Sequence, residues 1–161
     1  MVEAYIGIGS NVGDRAGFCR RAVAALGDVE GISVDACSSL YETSPVGGPP
    51  QRSFVNMVVR IRTSLDARAL LDACKGIERR LGREPTTMRW GPRVIDLDVL
   101  TYDDEKLSEP DLEIPHPRMT ARRFVLVPLL ELDLDVTDPW GDRYADALDE
   151  SEGDVALLEP F

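Results

Sequence analysis

Val2, Ala4, Ile6 and Ile8 alternate with Glu3, Tyr5 and Gly7, a period of two that predicts a strand. Asp14 follows where a helix N-cap belongs. Phe18, Ala22 and Leu26 then recur at helical spacing, and Gly27 is placed to stop the helix. Ile32 to Tyr41 reads as a second strand and Phe54 to Ile61 as a third. Between them Pro45, Gly47, Gly48, Pro49 and Pro50 crowd the stretch Ser44 to Ser53 into a loop. Ser64 is expected to cap a second helix, striped by Leu70, Cys74, Ile77 and Leu81 and closed by Gly82. Arg83 to Pro92 is a second long loop, and Val94 to Tyr102 a fourth strand.

The order strand, helix, strand, strand, helix, strand predicts an α+β fold with a ferredoxin-like βαββαβ core. Both helices then cover one sheet face and leave the other free to build a site. From Asp103 on, C-terminal additions are expected: a turn, a short helix near Met119 to Leu132, and a small hairpin or helix at the end. A length of 161 residues with 43% hydrophobic residues suits a single domain spanning 1–161. No run approaches the roughly 18 apolar residues of a membrane span. No basic leader precedes the first strand. Three cysteines, Cys19, Cys37 and Cys74, form no CxxC pair, and two of them lie on the helical stripes. Buried free thiols in a reducing cytoplasm are the expectation.

A net charge of −11 argues against a nucleic-acid partner unless charge is segregated. It is segregated: Glu131 to Glu159 carries many acids and one basic residue, Arg143. Arg79, Arg80, Arg83, Arg89 and Arg93 reverse the balance, and Arg118, Arg122 and Arg123 form a second basic group. Arg79 and Arg80 read as solvated surface charge.

Asp96 and Asp98 lie two apart on the fourth strand, so their side chains leave one face, about 6.6 Å apart along the chain. Carboxylates so spaced can hold two hard cations about 3.5–4 Å apart, as phosphoryl chemistry uses. An isolated Asp-Leu-Asp is more often a solvated strand, but Arg93 stands beside this one, and guanidinium plus cations is what a polyphosphate needs. On the third strand, Phe54 and Asn56 share the face opposite the apolar Val55, Met57, Val59 and Ile61. An aromatic plate beside an amide can stack on a flat heterocycle and read its edge, although such a pair also occurs as plain surface. His116, the single histidine, is fixed between Pro115 and Pro117. Trp90 suits either a loop anchor or a lid. Gly7-Ile8-Gly9-Ser10-Asn11-Val12 lacks the third glycine of a dinucleotide fingerprint, and no GxxxxGK[ST] is present.

Four segments in order resemble one family. They are Ala4 to Asn11; Tyr41 to Gly47 with Phe54-Val55-Asn56; Arg89 to Asp98; and Pro115 to Met119 with Arg122, Phe124, Pro128 and Leu129. The chain resembles the 6-hydroxymethyl-7,8-dihydropterin pyrophosphokinases of folate synthesis over nearly its whole length to about Leu132. The resemblance implies Mg²⁺-dependent pyrophosphoryl transfer from ATP to the pterin alcohol, releasing AMP. Asp96 and Asp98 would bind two magnesium ions, and Arg83 and Arg93 would neutralise the transferred group. His116 and Arg122 would contact the triphosphate, with Glu78 near the nucleoside. Phe54 and Phe124 would sandwich the pterin, while Asn56 and backbone around Thr43 and Val46 read its edge. Gly9 would allow close approach and Trp90 would close over the site. Phe54 departs from the tyrosine of some members, and Pro85 and Asp111 stand where some carry basic residues. Small-molecule substrates, no nucleic acid, no membrane and a monomer are implied. Two rivals stay open on the sequence: a non-catalytic ferredoxin-like binding module, and a kinase that moves only the γ-phosphate and leaves ADP.

Overall fold

The computed structural model describes residues 1–45, 48–82 and 93–161. Strand β1 (Val2–Ser10) leads to helix α1 (Arg15–Gly27), then β2 (Ile32–Cys37), β3 (Leu40–Thr43) and β4 (Phe54–Thr63). Helix α2 (Ala67–Arg80) and strand β5 (Asp96–Tyr102) follow. Then come a hairpin of β6 (Leu107–Glu109) and β7 (Leu112–Ile114), a 3-10 turn at Met119–Ala121 and α3 (Arg123–Leu132). A second 3-10 segment (Tyr144–Glu150) and β8 (Val155–Glu159) end the chain. Among the described residues the main sheet runs β5-β1-β4-β3-β8, with β2 also on β4, and its pairings are antiparallel.

Strand alternation sorts the sheet into two faces. Ala4, Ile6 and Ile8 of β1, Val55, Met57, Val59 and Ile61 of β4, and Leu97 and Val99 of β5 pack in one core with α1 and α2. From the helices, Cys19, Ala22, Leu26, Leu70, Cys74 and Ile77 are fully buried there. All three cysteines are free, and burial pushes the Cys19 thiol up to about 12, so it behaves as an apolar side chain. Asp14 caps α1 as expected, its carboxylate accepting from Gly17 N–H at 3.0 Å.

The second face differs from the expectation. It is not open throughout: Tyr5, Val58 and Leu100 form a second core with Met119, Val125, Leu126, Leu129, Leu130 and Tyr144. Helix α3 therefore roofs one part of this face, and the rest borders a cavity. Glu131 fastens α3 to the sheet by accepting from Ser39 N–H at 3.0 Å and from the Tyr41 hydroxyl.

Other boundaries also shift, for local reasons. The single strand expected from Ile32 to Tyr41 is two strands, parted at Ser38 and Ser39. There the Ser38 hydroxyl accepts Val58 N–H at 2.9 Å, a side chain standing in for a ladder carbonyl. Asp66, not Ser64, caps α2, accepting from Ala69 N–H at 2.8 Å. β5 begins at Asp96 rather than Val94. The tail ends as a strand on the open edge of β3. No described helix is long and apolar enough to cross a membrane.

Leu126, on the sheet-facing side of α3, is fully buried. Leu126→Ala is expected to lower the unfolding free energy by about 2–5 kcal/mol in scanning calorimetry. A loss below about 1 kcal/mol would mean that α3 does not roof the sheet.

Candidate active site

The uncovered part of the second face has a glycine floor. Gly9 lies opposite Asp96 on one side and Asn56 on the other, and Gly7 lies opposite Asp98 and Val58. Both aspartates therefore leave β5 on the face shared with Phe54 and Asn56, and all four line one cavity. Thr43, Arg93, Arg122, Phe124 and Gly9 line the same cavity.

Gly9 is required by a close approach. A Cβ there would stand 2.4 Å from the Asn56 side-chain oxygen, whereas one on Gly7 would meet Leu100 at 3.4 Å. The buried Asn56 amide crosses the space Gly9 leaves and donates to the Thr43 hydroxyl at 2.7 Å. That bond fixes the orientation of the amide. Phe54 and Phe124 are half-buried, and the Arg122 guanidinium stacks 5.4 Å from the Phe124 ring centre. Burial lowers the Arg122 pKa, while the Asp98 carboxylate pulls it back up.

A second cavity begins where the first ends. Asp98 lines both, and the second adds Leu71, Leu97, Val99, Leu112, Pro117 and His116. Among the described residues β5 is the outermost strand on this side of the sheet, and the cavity sits at its outer edge, between α2 and the β6–β7 hairpin. Arg68 ties those two elements, pairing with Asp111 at 2.6 Å and with Glu109. Asp111, where some relatives were expected to be basic, is thus half of this tie, and the Arg68 guanidinium holds its carboxyl below the usual range.

His116 is held on both sides. Its backbone N–H donates to Leu100 O at 2.8 Å, and its Nδ1 accepts Arg118 N–H at 3.3 Å. A neutral ring so held carries its proton on Nε2. Burial first, then the Arg122 cation, lowers its pKa to about 4, against the pull of Asp96.

Glu78 lines neither cavity. Its buried carboxylate accepts Leu97 N–H at 2.8 Å and so grips the peptide between the two aspartates. Arg83, Val46 and Trp90 lie outside the described residues, as does Pro85. Sequence reasoning missed Asn11 and Gln51, whose contacts span tens of residues, and the apolar wall of Leu71, Val99 and Leu112, which reads as ordinary core.

Among the described residues no group of three or more His, Cys, Asp and Glu side chains converges to hold a metal. Two carboxylates on one strand suit a hard cation that completes its shell from water and substrate oxygens, as Mg²⁺ does beside phosphates.

The family model described as 7,8-dihydro-6-hydroxymethylpterin-pyrophosphokinase (HPPK) matches residues 5–134. The 2-amino-4-hydroxy-6-hydroxymethyldihydropteridine pyrophosphokinase of Bacillus subtilis (strain 168) is 48% identical over 129 residues, which are 80% of this chain and 77% of that protein. Its namesake in Methylorubrum extorquens is 46% identical over 136 residues, 84% of this chain and 85% of that one. A crystal structure of an HPPK-DHPS in complex with substrates matches with a TM-score of 0.74 at 13% identity, a likeness of fold. It covers 92% of this chain, which spans 43% of that longer one.

Gly9→Ala is expected to cost about 1–3 kcal/mol in urea unfolding through loss of the Asn56–Thr43 bond, and Gly7→Ala less than about 1 kcal/mol. Equal costs would remove the special role of Gly9. For His116, an NMR titration of the ring is expected to give a midpoint near 4. The unfolded chain binds this proton with the ordinary pKa of about 6.5, so the stabilising contribution is full above that pH and is lost as pH falls towards 4. His116→Asn is expected to flatten that part of the stability profile. A midpoint at or above 6.5 would contradict the burial.

Proposed function

The chain belongs to the 7,8-dihydro-6-hydroxymethylpterin-pyrophosphokinase family, and from that premise we propose that it moves the β,γ-pyrophosphoryl group of ATP onto 6-hydroxymethyl-7,8-dihydropterin in folate biosynthesis, with Mg²⁺. The observation that carries the reading is that Asp96 and Asp98 line the same cavity as Phe54, Asn56 and Phe124. A charge clamp and a flat-ring berth share one space. The order β5-β1-β4-β2 supports a ferredoxin-like core, and β8, added to the same sheet, supports one domain over 1–161.

The pterin ring stacks between Phe54 and Phe124, and Asn56 with Thr43 reads its edge, helped by backbone near Val46. The nucleoside lies in the second cavity against Leu71, Val99 and Leu112, with Glu78 on the same helix as Leu71. Its phosphates run past Asp98, the residue common to both cavities. Arg93, Arg122 and Arg83 neutralise their charge, and His116 donates Nε2–H to a phosphate oxygen. Asp96 and Asp98 would hold two magnesium ions. When bound, these supply charge neutralisation and template the polyphosphate. The substrate hydroxyl oxygen bonds to the β-phosphorus, the α–β bridging bond breaks, AMP leaves, and the hydroxyl proton goes to solvent. Little covalent work falls to the protein; in-line positioning and charge stabilisation carry the rate. We read the protein as a cytoplasmic monomer acting on small molecules, and its free thiols suit a reducing compartment.

Incubation with ATP, Mg²⁺ and the hydroxymethyl pterin, followed by nucleotide analysis, is expected to give AMP. ADP would establish transfer of the γ-phosphate alone and overturn the reading. Asp98→Ala is expected to keep its fold and lose more than about 100-fold in turnover, roughly 3 kcal/mol of charge stabilisation. Near-normal turnover in that variant would remove the metal role.

A further inference from the structure

Asn11 directly follows β1 and is 2% exposed. It does not line the ligand cavity, yet both its amide hydrogens and its oxygen are bonded. Arg93 N–H donates to Asn11 Oδ1 at 2.8 Å, and Asn11 N–H returns a bond to Arg93 O at 3.0 Å. Asn11 Nδ2 donates to Gln51 Oε1 at 2.8 Å and to Arg52 O at 3.0 Å. One buried side chain thus joins two segments lying 82 and about 40 residues away in sequence.

Both segments meet at this amide and both contribute to the cavity wall. Gln51 lines the cavity three residues before Phe54, and Arg93 lines it three residues before Asp96. The Gln51 side is stapled again nearby: the Arg52 guanidinium donates to Gly13 O at 3.0 Å, and Arg15 donates to Ser53 O at 3.0 Å. Those staples hold the Gln51 side to the start of α1, whereas the Asn11 amide spans from that side to the segment carrying Arg93.

We propose that Asn11 is a positioning residue that sets the ring-binding segment and the phosphate-binding segment relative to each other. This rests on the reading of the site as a pterin–nucleotide site. The chemistry needs such a link, because in-line transfer tolerates little displacement between the two substrates, and a shift near 1 Å costs about 100-fold. Asparagine suits this role, since one short, rigid amide offers an acceptor to one segment and two donor hydrogens to the other. Aspartate at this position would keep the acceptor for Arg93 N–H and lose both donors. Alanine would lose all three side-chain bonds.

The test compares the wild type with Asn11→Asp, Asn11→Ala and Gln51→Ala. It measures melting temperature, affinity for the hydroxymethyl pterin, affinity for a non-hydrolysable ATP analogue with Mg²⁺, and kcat. Asn11→Asp and Gln51→Ala are expected to weaken pterin binding about tenfold and leave the nucleotide affinity within about twofold. Asn11→Ala is expected to weaken both and to lower kcat by about 100-fold. Asn11→Asp, which keeps the Arg93 bond and lies outside the cavity, carries the proposal where Asn11→Ala does not fold. A drop in melting temperature with both affinities and kcat unchanged in the folded variants would make Asn11 merely structural and overturn the proposal. A wild type that binds neither ligand would instead overturn the functional reading, and this proposal with it.

Discussion

The register of three neighbouring strands governs the site. Gly9 on β1 stands between Asp96 on β5 and Asn56 on β4, and Gly7 repeats the arrangement one pleat away with Asp98. A one-residue slip on β5 would send both aspartates into the core beside α2 and bring Leu97 to the surface. The apolar positions forbid that slip. Leu97 and Val99 are nearly fully buried against the helices, so the carboxylates are forced outward. Burying side chains of that size is worth about 1.5–3 kcal/mol each, against about 0.5–1.5 kcal/mol for an ordinary hydrogen bond. Core packing on one face therefore fixes the chemistry on the other.

The second face divides its labour along the strands. Towards Tyr5, Val58 and Leu100 it is a core, roofed by α3. Towards Gly7 and Gly9 it carries no side chains of its own on β1 and becomes a trough. Arg122 and Phe124 stand at the start of α3, so the roof's edge also supplies one cation and one aromatic wall. Glu131, on the last turn of that helix, holds it to the gap between β2 and β3. One helix thus serves both the second core and the cavity, with Val125 a member of each and Phe124 packed between them.

The paired aspartates were legible because a period of two on a strand is a local property. The N-cap at Asp14 was legible for the same reason. The cap of α2 was misread because two good cap residues stand two apart. The backbone N–H of Ser64 already donates to Gly31 O, which holds that residue in the strand's exit and leaves Asp66 to start the helix. The gap at Ser38 depends on Val58, twenty residues on, and on Glu131, ninety-two from Ser39, so nothing near it in sequence announces it. Asn11 sat inside a recognisable segment, but its partners lie about 40 and 82 residues away. The short helix expected near Met119 to Leu132 carried no indication of the face it would cover. Likewise the run Val155–Glu159 has no alternation that would mark it as the outermost strand on β3.

Two carboxylates holding divalent cations against a polyphosphate are the centre of the proposed chemistry. The most direct measurement is Mn²⁺ binding followed by electron paramagnetic resonance, with an ATP analogue and the hydroxymethyl pterin present. Two bound ions per wild-type chain are predicted, with both lost from the Asp96→Asn, Asp98→Asn double variant. Unchanged stoichiometry and affinity in that variant would place the cations elsewhere and contradict the metal role of this pair.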